Sequence, residues 1–154
     1  MFEFLKSLFK PPKFAGLPLP LMSFTTADRT IDQDLTTEHD GWYLGSREDQ
    51  TVRLFELQTP DVEQCMLTYR AQLKTQSFSG RAYLEMWCRL PGRGEFFSKG
   101  LQHPVTGTND WASYETPFYL KKGQKPDLIK LNLVVEGKGR LWIKDVELLQ
   151  TPLK

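Results

Sequence analysis

The chain has 154 residues, the size of one domain, and a domain of this length buries about two-thirds of its unfolded surface without needing disulfides or metals as staples. Twenty Lys and Arg against 19 Asp and Glu leave a formal charge of +1, too weak a field to gather a polyanion, so no nucleic-acid partner is expected. Hydrophobic residues at 40%, aromatic at 12% and charged at 25% exclude a disordered chain, a collagen and a membrane bundle.

Residues 1–10 (MFEFLKSLFK) set Phe2, Leu5, Leu8 and Phe9 on one side of a helix, which predicts a short amphipathic helix. Glu3, Lys6 and Lys10 interrupt the apolar run that a secretory signal needs, which leans toward the cytoplasm. Such a helix suits contact with a membrane surface or a protein partner, and equally suits packing on its own domain. The next stretch, KPPKFAGLPLPLMSF, carries four prolines that hold the backbone extended, as in a linker or a strap laid over a domain. Residues 1–23 are therefore set apart from a folded domain over 24–150, with a tail at 151–154.

From residue 24 onward the apolar period becomes two. Short strands are expected near 24–31 and 41–44 and a longer one over 51–57. Residues 64–74 (QCMLTYRAQLK) put Cys65, Leu67, Tyr69, Ala71 and Leu73 on one side and Met66, Thr68, Arg70, Gln72 and Lys74 on the other. Residues 81–90 (RAYLEMWCRL) repeat the pattern, with Ala82, Leu84, Met86, Cys88 and Leu90 inward and Arg81, Tyr83, Glu85, Trp87 and Arg89 outward. TQSFSG between them predicts a hairpin that places Tyr83 opposite Gln72, Glu85 opposite Arg70, Trp87 opposite Thr68 and Arg89 opposite Met66. Cys65 and Cys88 fall on the apolar sides, as buried thiols.

Further strands are expected over 113–120, 127–136 and 140–149, separated by the turn stretches PGRG, VTGTND, KKGQKPD and EGKG. Pro117 cannot donate to a ladder and predicts an edge or a bulge there. The alternation slips between Ile143 and Val146, which predicts a bulge near Lys144 and Asp145. Many short strands without a second helical period define an all-β, two-sheet antiparallel sandwich.

The carboxyl-terminal part carries a Gly-Thr-x-x-Asp-Trp turn (Gly107, Thr108, Asp110, Trp111), the run Leu131 to Val135, and Gly-x-Gly-x-x-Trp-x-x-Asp-Val (Gly137, Gly139, Trp142, Asp145, Val146). In these residues the chain resembles the galactose-binding-like jelly roll of carbohydrate-binding modules and many bacterial domains, closely over 105–149 and loosely over 24–150. The resemblance implies a jelly-roll sandwich, and a structural calcium for which Asp145 stands at the family's terminal acid. Lys144 replaces the second acid that many relatives have, and Asp28, Asp32, Asp34 and Asp40 are the early acids within reach of such a site. No other cofactor is expected. In the family pattern, Trp111 and Trp142 are structural rather than stacking platforms.

No catalytic signature is present in the chain. His39 and His103 belong to no metal-binding helix, and there is no nucleophile elbow and no phosphate loop. The outward side of the central strands is the candidate site. Saccharide recognition needs a ring face for the axial C–H groups and planar side chains for vicinal hydroxyls. Arg70, Gln72, Tyr83, Glu85, Trp87, Arg89 and Asn132 are expected to supply both, provided the proline-rich strap does not roof them. The expected function is a non-catalytic carbohydrate-binding module; the alternatives are a protein-interaction or structural domain, and a glycan-processing enzyme.

Overall fold

The computed structural model describes residues 13–154, which are all-β and antiparallel with no helix among them. The strands are β1 (Leu19–Phe24), β2 (Thr36–Thr37), β3 (Gly41–Ser46), β4 (Gln50–Gln58), β5 (Cys65–Leu90), β6 (Gly94–Lys99), β7 (Val105–Leu120) and β8 (Leu128–Pro152). The amphipathic helix expected over 1–10 lies outside the described residues.

Two strands organise everything else. β5 has 26 residues and β8 has 25, and they pair almost end to end, from Cys65 opposite Pro152 to Arg89 opposite Leu128. Both bend at the same place, where Ser77 (φ 51°), Gly80 (φ 99°), Gly137 (φ 140°) and Gly139 (φ 145°) take left-handed backbone and the ladder breaks between Gln76 and Ser79. The ribbon folds over there, and its halves become two facing layers. One layer holds β7, residues 65–76 of β5 and residues 139–152 of β8, with β1 and β3 along the far edge and β2 beyond β3. The other holds β6, residues 81–90 of β5, residues 128–136 of β8, and β4.

Contacts between the layers close the core. Phe24 of β1 stacks on Phe55 of β4 with ring centroids 4.0 Å apart, and Trp42 of β3 meets the same ring edge-on at 5.6 Å. The buried Tyr69 hydroxyl donates across the layers to the Asn132 carbonyl at 3.1 Å. The inward sets expected from alternation in residues 64–74 and 81–90 are all buried, and Cys65 and Cys88 are free thiols among them.

The expected hairpin is absent. TQSFSG and EGKG are bends inside β5 and β8, and VTGTND lies within β7. Tyr83, Glu85, Trp87 and Arg89 therefore pair with Val134, Asn132, Lys130 and Leu128, while Met66, Thr68, Arg70 and Gln72 pair with Thr151, Leu149, Glu147 and Lys144. A glycine-rich stretch between two alternating runs serves a tight turn or a shared corner equally well, and the choice depends on a distant partner strand. β6 was not anticipated; it returns from the turn at PGRG and pairs with the end of β5. The bulge near Lys144 and Asp145 is present: between the pairs Arg70–Glu147 and Gln72–Lys144, Ala71 alone faces Asp145 and Val146, and Asp145 has φ 52°. Pro117 sits on β7, whose residues 112–120 pair only with β5 among the described residues, so its missing N–H faces an open edge.

The described part of the strap does not cross the sandwich. Phe14 bridges to Leu153, the Ala15 N–H donates to the Pro152 carbonyl at 2.8 Å, and β1 pairs with residues 146–150 of β8. Proline in an outermost strand leaves no orphaned donor, which suits Pro20 here. The strand expected over 24–31 thus ends at Phe24, and the sheet extends beyond both limits of the expected 24–150 domain.

Candidate functional site

The outer face of the β4–β8–β5–β6 layer gathers polar and aromatic side chains in two transverse rows. In β5 and β8 the apolar alternation sends Leu84, Met86, Cys88, Ile129, Leu131 and Leu133 inward, so Glu85, Trp87, Lys130 and Asn132 point out. A register shift in β4 between Arg53 and Phe55 keeps Phe55 in the core and sets Arg53 opposite Asn132. One row is Arg53, Asn132, Glu85 and Lys99; the next is Glu56, Lys130, Trp87 and Phe97.

Glu85 is the hub of this face. Its Oε1 accepts from Trp87 Nε1 at 2.8 Å and from Asn132 Nδ2 at 3.0 Å, and its Oε2 lies 3.6 Å from Lys99 Nζ. A carboxylate that is 6% exposed, with two hydrogen-bond donors and a lysine beside it, holds the indole and the amide in fixed orientations. Trp87 lies 5.2 Å from Phe97, which is 55% exposed, and the two rings tilt together as an apolar ledge. Beside that ledge is a groove of about 380 Å³ lined by Thr51, Arg53, Glu56, Glu85, Trp87, Glu95, Lys130 and Asn132. Arg53 donates to Asp32 Oδ1 from Nε at 3.2 Å and from a terminal nitrogen at 3.1 Å, and Lys130 pairs with Glu95 at 2.8 Å. Replacing Glu85 by alanine is expected to lower unfolding free energy by about 2 kcal/mol, because Asn132 and the indole lose their acceptor in a poorly hydrated place. A denaturant midpoint equal to that of the parent protein would remove Glu85 from this role.

Of the residues expected at the site, Tyr83, Glu85, Trp87, Arg89 and Asn132 share this face. Tyr83 is only 6% exposed and lies under Arg81, whose guanidinium carbon is 5.5 Å from the ring centroid. Burial first, then the Glu136 carboxylate, raises the Tyr83 hydroxyl pKa, with Arg81 opposing. Arg89 is held at the edge by Asp127, its Nε donating at 2.8 Å. Arg70 and Gln72 are on the outer face of the other layer, because the corner separates them from the second half of β5. Arg70 pairs with Glu147 at 2.6 Å and borders a larger polar cleft of about 620 Å³ with Lys99, His103, Ser113 and Glu115. Gln72 Nε2 donates to Asp145 Oδ2 at 2.9 Å.

The donor set expected for calcium does not assemble. No group of three or more His, Cys, Asp or Glu side chains able to hold a metal occurs among the described residues. Asp28 accepts the Thr25 N–H, Asp32 binds Arg53, and Asp40 meets Lys144 at 3.4 Å. Trp111 and Trp142 are half-buried on the outer face of the layer that holds β7 and β3 rather than in the core.

Sequence reasoning missed Arg53, Glu95, Phe97, Lys99 and Lys130. Arg53 was hidden by the β4 register shift, and Glu95, Phe97 and Lys99 by the short strand that carries them. Adjacent Phe96 and Phe97, both exposed, were the available signal.

No family model and no curated protein matches the sequence. Solved structures do. The CBM22-1 xylan-binding domain from Paenibacillus barcinonensis Xyn10C superposes with a TM-score of 0.55 at 13% identity, over 90% of this chain and 98% of that one. A CBM4 structure matches with a TM-score of 0.55 at 9% identity, over 77% of this chain and 76% of that one. A family 30 carbohydrate-binding module matches with a TM-score of 0.51 at 10% identity, over 86% of this chain and 98% of that one. The chain has the β-sandwich fold of carbohydrate-binding modules.

Proposed function

We propose that the protein is a non-catalytic module that binds an uncharged polysaccharide chain along the groove between Arg53 and Phe97. The observation that carries this reading is the Trp87–Phe97 ledge beside Asn132, Glu85 and Arg53, a ring surface next to planar hydrogen-bonding groups. Each cation of the groove already meets a carboxylate, so the face offers forks for hydroxyls and no spare charge for an acid. β1 runs along the other layer, so residues 19–24 leave the ledge open. The fold shared with xylan-binding and related modules supports the same reading by analogy.

Affinity electrophoresis through soluble xylan and mixed-linkage β-glucan tests it. The parent protein is expected to be retarded by at least one of them, and Trp87→Ala to weaken that retardation by tenfold or more, the usual loss for an anchoring aromatic. Unhindered migration through every neutral polysaccharide, with the fold intact by circular dichroism, refutes the proposal.

A further inference from the structure

The outer face of the layer built from β7, β5, β8 and β3 carries a second row of rings. Tyr43 pairs with Trp142, Trp142 pairs with Lys74, and Lys74 stands beside Trp111 where β7 runs from Asn109, opposite Thr75, to Ala112, opposite Leu73. Tyr43 and Trp142 rings are 5.1 Å apart. Strands lie about 4.8 Å apart, so the backbone positions of Trp142 and Trp111 are roughly 10 Å apart across β5, commensurate with alternate rings of a 1,4-linked pyranose chain. The first groove is on the opposite side of the sandwich.

Charge distinguishes the two faces. Lys74 Nζ lies 5.1 Å from the Trp142 ring centroid, and among the described residues it pairs with no carboxylate. The acids bordering the row are engaged: Asp40 with Lys144, Asp145 with Gln72, and Asp110 with the Trp111 N–H at 2.7 Å. Lys144 in turn sits 4.3 Å from the Trp111 ring centroid. The patch sets three acids, Asp40, Asp110 and Asp145, against Lys74 and Lys144, so no broad positive field is involved. The selectivity comes from the Lys74 ammonium over Trp142, which has no carboxylate partner among the described residues and would meet the ring carboxylate of a sugar stacked there.

We infer that this row is a second saccharide-binding site, and that it takes a chain of 1,4-linked uronic acids. Lys74 swings from the Trp142 face and Lys144 from the Trp111 face to ligand carboxylates, which frees the two indoles to receive alternate sugar rings. This gives the protein two binding faces of different preference on opposite sides of one sandwich.

Polygalacturonate in an affinity gel, with xylan as the neutral comparison, tests the inference. The parent protein is expected to be retarded by polygalacturonate, less so as salt is raised. Trp142→Ala should weaken that retardation by about tenfold. Lys74→Gln, a surface change that leaves the core untouched, should weaken it several-fold and leave migration in xylan unchanged, and Trp87→Ala should leave the polygalacturonate response intact. No retardation of the parent protein by polygalacturonate overturns the site, as does retardation that Trp87→Ala abolishes or that Lys74→Gln leaves as it was. Failure of the neutral groove would show in xylan alone, so the two proposals fall separately.

Discussion

Replacing Gly137 by alanine is expected to destabilise the protein by about 3–5 kcal/mol, lowering the melting temperature by roughly 10 °C. At the corner, Gly137 pairs with Gly80 across β5 and β8. Gly137 holds φ 140°, and a Cβ there would overlap the Ser79 carbonyl oxygen and stand 3.1 Å from the Gly80 Cα. The clash is with backbone on a strand that cannot retreat, since that strand belongs to both layers. A control separates crowding from conformational cost. Gly92 also has positive φ, 77°, but a Cβ on it meets nothing within 4 Å, so Gly92→Ala should cost only about 1 kcal/mol. Urea unfolding of both variants decides the matter. Equal midpoints would mean that the two strands do not cross at contact distance, and the account of the corner would fail.

The same corner marks the boundary of what could be read from the sequence. Period-two alternation identified every inward residue of 65–73 and 82–90, because which side of a strand is apolar is a local property. What followed Lys74 was not local. Ser77, Gly80, Gly137 and Gly139 permit the backbone both a tight reversal and a gentle fold, and β8 running beside β5 through the bend makes it a fold. One wrong turn divided the expected site: Tyr83, Glu85, Trp87 and Arg89 stayed together with Asn132, which β8 places opposite Glu85, while Arg70 and Gln72 went to the opposite face. Tyr83 shows a second limit. Alternation assigned it outward correctly, but whether an outward ring is bare depends on its neighbour, and Arg81 covers it. The bulge at Asp145 was legible because a phase slip within one strand is written in that strand alone.

Raising the pH above 9 is expected to destabilise the protein steeply, through groups that never touch a ligand. Burial pushes the Cys65 thiol from its ordinary 9.0 up to about 11 and the Cys88 thiol up to about 12. Below pH 9 both thiols carry their proton in the folded and in the unfolded chain, so neither makes stability vary with pH. Above it the unfolded chain releases protons that the folded chain retains, and stability falls by nearly 1.4 kcal/mol per pH unit for each thiol until its folded value is passed. Between pH 9 and 10 the pair should therefore remove about 2 kcal/mol, a large fraction of what holds an ordinary domain together. Past pH 10 the Tyr69 hydroxyl adds to the loss, since burial and then the Glu85 charge raise its pKa far above the usual range. Cys88 and Cys65 face the core from opposite ends of β5, so ionising them places charge in both layers at once. Urea titrations under reducing conditions at pH 8, 9 and 10 measure this directly, and the double variant Cys65→Ala, Cys88→Ala should lose most of the decline over that interval. An equal decline in the double variant would assign alkaline sensitivity to other groups and leave the two thiols as inert filler.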